Sequence, residues 1–178
     1  RSNFAVAMKD LLQKVLDDIL ADVPKEKIDE RISIFKRNMH NLSYEVMANP
    51  IGVKGIGKYE VRDEESSFNR YKKGTPVHVK SAINYNSLID YWYEGKRYSK
   101  ITNGNKIKWV YLKENEFGFD TIGYKGYEDP PQILDMIKKY IDHNKMFEQA
   151  MSKKIGMFYQ ALNWGGVEDK TTSMNRFF

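Results

Sequence analysis

The 178-residue sequence contains no cysteine. It therefore has no disulfide framework, no thiolate nucleophile and no cysteine-rich zinc site. No apolar run approaches the roughly 20 residues that a membrane-spanning helix needs, and no secretory signal peptide opens the chain. The three histidines, His40, His78 and His143, share no metal-ligand spacing. These absences lead us to expect a soluble, intracellular protein without a metal site and without a membrane partner.

The composition that remains is typical of a globular protein. Apolar residues make up 41% of the chain, and 12 tyrosines are present, whereas disordered chains are poor in both. The length indicates one domain, or a domain with a tail, and it is sufficient to bury a core. The first residue is Arg1 and not methionine, so we expect an excised piece of a longer protein.

The positive charge is concentrated in the middle third of the chain. Residues 53–113 carry 13 basic and 6 acidic side chains, a net charge of +7, although the whole chain carries only +5. Residues 1–52 are balanced at zero, and residues 114–178 carry −2. An excess confined to one segment favours a surface for a polyanion, while an ordinary solvated surface is the alternative.

Hydrophobic periodicity predicts an α+β fold that is mostly helical, with a small antiparallel β element. Asn103-Gly104 is a hairpin signal, and Ile107–Leu112 has the composition of a strand. Asp129-Pro130 is predicted to cap the helix that follows it, and Gly165-Gly166 to end the last one. The predicted helices contain Met8–Leu20, Ile28–Leu42, residues 77–93, Ile133–Ile141 and Phe147–Leu162.

Residues 52–85 mix glycines, basic side chains and aromatics. Glycine lets the backbone approach a ligand, basic side chains attract phosphate, and aromatics stack on bases or sugars. Gly52 to Lys58 fits the G-x-x-x-x-G-K part of a P-loop, but Tyr59 stands where a magnesium-binding Ser or Thr is required. The flanks also lack an apolar strand before the motif and a helix after it. We therefore expect a surface for a DNA or RNA backbone and no nucleotide hydrolysis.

The last eight residues, TTSMNRFF, carry a second pattern. Met174 is followed three and four positions later by Phe177 and Phe178, so one helical turn would place the three side chains on one side. This spacing matches peptides that bind sliding clamps, with Thr171 where such peptides often have Gln. The alternative is that the tail folds back on its own domain. We predict a flexible clamp-binding tail at residues 166–178, after a duplex-binding domain at residues 1–165.

Taken in chain order, these segments resemble the thumb of family B DNA polymerases from T-even-like bacteriophages. Arg1-Ser2-Asn3 running into an amphipathic helix is similar to the palm-to-thumb junction of those enzymes. The aromatic tail is similar to the segment that docks on their clamp. The resemblance covers essentially the whole chain. It includes the stretches GIGKY at 55–59, KGTPVHVK at 73–80, YN at 85–86 and YLK at 111–113.

The resemblance implies a thumb that grips primer–template duplex DNA, whatever its sequence, and tethers the enzyme to the sliding clamp. The remaining partners would be the palm, fingers and exonuclease of the polymerase, in the cytoplasm of an infected bacterial host. Catalytic residues and Mg²⁺ would belong to the palm, so this piece would be inactive alone and without a cofactor of its own. Phosphate contacts are then expected from Lys54, Lys58, Lys72, Lys73 and Lys80, with Tyr59 and His78 against the sugar or the minor-groove edge.

Two other functions fit parts of the pattern. A free-standing nucleic-acid adaptor, whose tail recruits a partner, would share the basic segment but would have no palm upstream of Arg1. An enzyme that uses the incomplete P-loop would bind ATP through Lys58. We expect no such ATP binding.

Overall fold

The structure is a computed structural model, and it describes residues 3–93 and 96–170. It is an α+β protein with small antiparallel sheets, as the sequence predicts. The chain divides into two compact units. We call residues 48–142 the sheet unit, and residues 4–47 with 143–170 the helical unit. The sheet unit is thus an insertion between the two segments of the helical unit. The boundary predicted at residue 165 stays a prediction.

The helical unit begins with α1 (Val6–Leu20), whose buried side chains Met8, Leu11 and Val15 recur at helical spacing. Asp22 ends α1 in the left-handed conformation (φ 55°), and the backbone N–H of Val23 donates to the Asp18 carbonyl at 2.9 Å. The other elements are α2 (Lys25–Asn38), a 3₁₀ turn (Met39–Asn41), α3 (Tyr44–Met47), α7 (His143–Phe147), a π turn (Glu148–Ser152) and α8 (Lys153–Ala161).

The last predicted helix is therefore divided by a π turn, and it ends at Ala161, before Gly165-Gly166. Residues four apart drift by about 40° per step around an α-helix, because a turn has 3.6 residues. The wider π turn offsets this drift. Phe147, Met151, Ile155 and Tyr159 are consequently all buried, although they recur every four residues.

The sheet unit is built around α5 (Val77–Tyr93) and a three-stranded antiparallel sheet of order β1-β4-β5. Gly123 in β5 makes close packing against α5 possible, because a Cβ there would lie 3.4 Å from the Ser81 backbone and 3.0 Å from Ile107 Cδ1. The Asn84 side chain of α5 also donates to the Thr121 carbonyl at 2.9 Å. The strands are β1 (Asn49–Gly52), β4 (Lys106–Tyr111) and β5 (Thr121–Tyr124).

Two shorter elements and one more helix complete this unit. They are α4 (Ile56–Tyr59), a hairpin of β2 (Glu60–Val61) with β3 (Arg70–Tyr71), and α6 (Pro131–Tyr140). No side chain caps α6, so the prediction for Asp129 was wrong. Its carboxylate accepts instead from the backbone N–H groups of Lys125 (2.8 Å) and Gly126 (2.7 Å) and from the Tyr85 hydroxyl (2.9 Å).

The predicted Asn103-Gly104 hairpin was also wrong. A turn does form there, with Gly104 at φ 90°, but β4 after it pairs with β1, and its register places Lys106 opposite Gly52. Asn103 and Gly104 instead hold the loop that follows β1. No helix among the described residues is long and apolar enough to cross a membrane.

Candidate functional site

The loop after β1 is fixed by the segment before β4. The Val53 N–H donates to the Asn105 carbonyl at 3.0 Å, and the Gly104 N–H donates to the Val53 carbonyl at 2.8 Å. Gly55 then takes φ +84°, which a residue with a side chain rarely adopts. The Asn103 Oδ1 accepts from the Ile56 N–H at 3.1 Å and so begins α4. Lys54 is exposed on this fixed loop.

A second set of hydrogen bonds joins α4 to the segment before α5. The Lys72 N–H donates to the Tyr59 carbonyl at 2.9 Å, directly beyond the β2–β3 pairing. The Thr75 N–H closes a turn on the Lys72 carbonyl at 3.2 Å, with Gly74 at φ 82°. Lys58 and Tyr59 on α4 are therefore held beside Lys72 and Lys73.

The first turn of α5 continues this surface. The Lys80 Nζ lies 5.4 Å from the ring centroid of Tyr71, the residue before Lys72. His78 lies in the same turn and is half-buried. All seven predicted side chains thus lie on neighbouring turns of the sheet unit. We call them the basic surface: Lys54, Lys58, Tyr59, Lys72, Lys73, His78 and Lys80.

Within the described part of the chain, the five lysines of the basic surface lack carboxylate partners, unlike the basic side chains of α2, which all have one. Among the described residues, none of the five lies within 4 Å of a carboxylate oxygen. Two acids of the same segment are engaged elsewhere, since Asp63 pairs with Arg70 at 2.6 Å and Glu60 accepts from the Asn69 amide. Like charges held together without counter-charges create a strong local positive potential.

The two uncharged members of the surface have different environments. Burial lowers the pKa of His78, because desolvation disfavours its charged form. The imidazole is therefore neutral at pH 7. Tyr59 is half-buried, and the Lys58 Nζ lies 5.0 Å from its ring centroid. Neither side chain is suited to an ion pair with phosphate, whereas both offer rings and polar edges to a sugar.

The P-loop interpretation fails on geometry as well as on sequence. As predicted, no helix follows the motif: α4 overlaps it and β2 comes next, although the half-buried strand β1 leads into it. Gly52 belongs to that strand, and Gly57 and Lys58 are the second and third residues of a four-residue helix. The glycines of the motif therefore do not belong to one continuous loop that could surround a phosphate.

Sequence reasoning missed two contributors to the site. Lys106 is exposed at the start of β4, where it pairs with Gly52 of β1. Gly52 in turn lies two residues before Lys54 in the sequence. Asn103 holds α4 by its side chain. The net charge of residues 53–113 includes Lys106 and was the signal available for it. No pattern in the sequence indicates the role of Asn103, which depends on a contact across 47 positions.

Met174, Phe177 and Phe178, the predicted clamp contacts, lie outside the described residues. Within the described part of the chain, no group of three or more His, Asp or Glu side chains is placed to hold a metal ion. No protein-family model matches the sequence, and no curated protein matches it either. The functional assignment therefore depends on the chemistry of the basic surface.

Proposed function

We propose that this chain binds duplex DNA without sequence preference, through the basic surface of the sheet unit. The observation that carries the proposal is that five lysines on hydrogen-bonded, neighbouring turns have no carboxylate partner among the described residues. Each ammonium group is then available to replace a counterion at a phosphate. Phosphate contacts position a protein on DNA and carry no sequence information, as a general duplex grip requires.

Within this function the side chains divide their roles. Lys54, Lys58, Lys72 and Lys73 are exposed and contact phosphates, and Lys80 contacts one from the first turn of α5. Tyr59 and the neutral His78 lie against the sugar or the minor-groove edge. The backbone hydrogen bonds between the turns fix the spacing of the lysines before DNA arrives, which lowers the entropy lost on binding.

The broader proposal is that the chain is the thumb of a family B DNA polymerase of the T-even-like phage type. It would act on primer–template DNA in the cytoplasm of an infected bacterial host, beside a palm that binds Mg²⁺. Met174, Phe177 and Phe178 would contact a sliding clamp. The sequence resemblance and the basic surface support it. Reading the coding sequence upstream of Arg1 tests it, because metal-binding palm aspartates are expected there.

The direct test is a DNA titration of the Lys72→Ala/Lys73→Ala double variant at several salt concentrations. Between about 50 and 200 mM salt, the wild-type affinity should fall steeply, and the variant should lose about 1.8 from the slope of log K against log salt. The matched control is Lys138→Ala/Lys139→Ala, which removes two exposed, adjacent lysines from α6 of the same unit. Its slope should change much less.

Two outcomes would contradict the proposal. One is equal loss of affinity in both double variants, which would indicate a general charge effect and not a defined surface. The other is strong preference for one of two duplexes of unrelated sequence, since phosphate contacts do not discriminate bases. Competition with single-stranded DNA of the same length separates a duplex grip from general nucleic-acid binding.

A further inference from the structure

The helical unit contains an open groove that the proposed DNA contacts do not use. Its volume is about 1130 Å³, and α2, the π turn, α8 and residues 163–169 line it. Phe147, Tyr159 and Trp164 give it aromatic walls. Clefts for small molecules have volumes of roughly 300–1,000 Å³, so this groove is large enough for several residues of a peptide.

Two features of the helices shape the groove. Gly156 lies inside α8, where glycine is about 1 kcal/mol less favourable than alanine. A Cβ at Gly156 would meet no described atom within 4 Å, so packing within the described residues does not require glycine there. The π turn at Glu148–Ser152 forms another wall, and π turns occur frequently at functional sites. Of the two, Gly156 leaves space for an occupant of the groove.

The rim of the groove offers hydrogen bonds to a peptide backbone. The side-chain amides of Asn144, Gln160 and Asn163 line the groove and make no hydrogen bond within the described part of the chain. The ion pairs that join α2 to the other walls are long, at 3.5 Å for Lys36–Glu148 and 3.7 Å for Arg37–Asp169. The groove therefore combines aromatic walls with polar groups along its edge.

We propose that this groove binds the chain's own residues 171–178, through Met174, Phe177 and Phe178. Lys170, the last described residue, lines a smaller cavity that shares Ser33, Arg37 and Asp169 with the groove. Four residues span at most about 14 Å, so Met174 is confined near the groove entrance. A short tether of this kind gives an effective concentration in the millimolar range, which favours the tail over any separate peptide.

Self-docking makes the groove and a tail-binding partner competitors for the same three side chains. In the absence of a partner, the groove shelters them from water, and a partner must displace them to bind. The inference concerns the tail without DNA or clamp, so its failure would leave the proposed DNA binding untouched. Failure of DNA binding would likewise leave the groove proposal standing.

The test uses the absence of cysteine, because two introduced thiols can form only one intramolecular disulfide. We expect Gly156→Cys/Asn175→Cys to cross-link in oxidised glutathione, which is reduced as the two thiols are oxidised. Replacing Met174, Phe177 and Phe178 by serine in that variant should slow cross-linking about tenfold, because the tether remains but the docking contacts are lost. Met157→Cys/Asn175→Cys is the matched control, since Met157 is exposed on α8 and does not line the groove.

An equal cross-linking rate with the serine tail would overturn the proposal and would leave the groove to a separate chain. A rate for Met157→Cys as high as that for Gly156→Cys would overturn it too. Trp164 fluorescence gives a second measurement without any change at Gly156. The serine tail should shift the emission of the otherwise unmodified chain, and the shift should vanish when Trp164→Phe is added. No shift in the first case would also contradict docking.

Discussion

Every basic side chain of α2 in the helical unit is paired with a carboxylate, whereas the lysines of the basic surface in the sheet unit have no such partner among the described residues. Arg31, Lys36 and Arg37 each lie within 4 Å of a carboxylate oxygen, at Asp18, Glu148 and Asp169. Lys25 goes further, since its Nζ lies 2.6 Å from the buried Asp29 carboxylate and 3.0 Å from the Gly166 carbonyl. The sheet unit pairs Arg70 and Lys100 but leaves the five lysines of the basic surface without a carboxylate among the described residues.

This contrast separates two uses of the same residue types. A paired cation contributes to the fold, and its charge is largely cancelled at a distance. An unpaired cation contributes little to the fold but attracts a polyanion. Mutating cations of the two kinds should therefore affect different measurements, and the predictions below are ordered by the size of the expected effect.

The largest effect is expected from Asp29→Ala in the helical unit. Its carboxylate accepts from Lys25 Nζ and, at 2.7 Å, from the Tyr159 hydroxyl. The substitution leaves that buried hydroxyl and the ammonium group without their partner, so the free energy of unfolding should fall by about 2–3 kcal/mol. Urea denaturation measures it. DNA affinity of the folded fraction should stay unchanged, and a parallel loss of affinity would contradict the separation of roles.

An intermediate effect is expected at high pH, and it should appear in both units. Burial, with a hydrogen bond to Asp129 or Asp29, raises the pKa of Tyr85 and of Tyr159. Each hydroxyl therefore keeps its proton in the folded state after the unfolded chain has lost it near pH 10. The contribution of these two hydroxyls to the free energy of unfolding is therefore fully present below pH 10. Above pH 10 the free energy of unfolding falls by up to about 1.4 kcal/mol per pH unit for each tyrosine.

Urea denaturation at intervals above pH 9, on wild type, Tyr85→Phe and Tyr159→Phe, measures this dependence. In each variant the free energy of unfolding should fall less steeply with pH than in the wild type, because phenylalanine has no proton to release. A decline that is equally steep in the wild type and in both variants would show that other groups cause it.

The smallest effect on stability is expected from single surface lysines, where the two units should show opposite patterns. Lys58→Ala should change the free energy of unfolding by at most about 0.5 kcal/mol while it weakens DNA binding and its salt dependence. Lys36→Ala should cost up to about 1 kcal/mol through the lost pair with Glu148 and leave DNA binding unchanged. Denaturation and DNA titration of both variants compare the patterns directly. If Lys36→Ala weakened DNA binding and Lys58→Ala lowered stability, paired and unpaired cations would not have the separate roles described above.

Local periodicity was sufficient to predict the fold class and most helices. Met8, Leu11 and Val15 are buried at the predicted helical spacing, and residues 77–93 form α5 as expected. These predictions succeeded because each depends on residues within a few turns of one another. The π turn escaped prediction, because the apolar residues that it aligns every four positions are also compatible with an ordinary helix.

The parts of the site that sequence reasoning missed are long-range contacts. Asn103 followed by glycine favours a two-residue hairpin locally, but β4 finds its partner in β1, far back in the chain. Asp129 before Pro130 has the composition of a helix cap, yet Tyr85 and two backbone N–H groups take its carboxylate. The basic residues themselves were predicted from charge. Which of them lack acidic partners depends on tertiary structure and is not visible in a list of residues.

The insertion of the sheet unit within the helical unit has a consequence for folding during synthesis. Every pairing of β1, β4, β5 and α5 is available once residue 142 has left the ribosome. The helices α1 and α2 emerge first, but the residues that complete their core, such as Met151 and Tyr159, are made last. The unit that starts first therefore finishes last, and its apolar faces stay uncovered while the sheet unit folds. Nascent chains of increasing length should show the sheet unit becoming protease-resistant before the helical one.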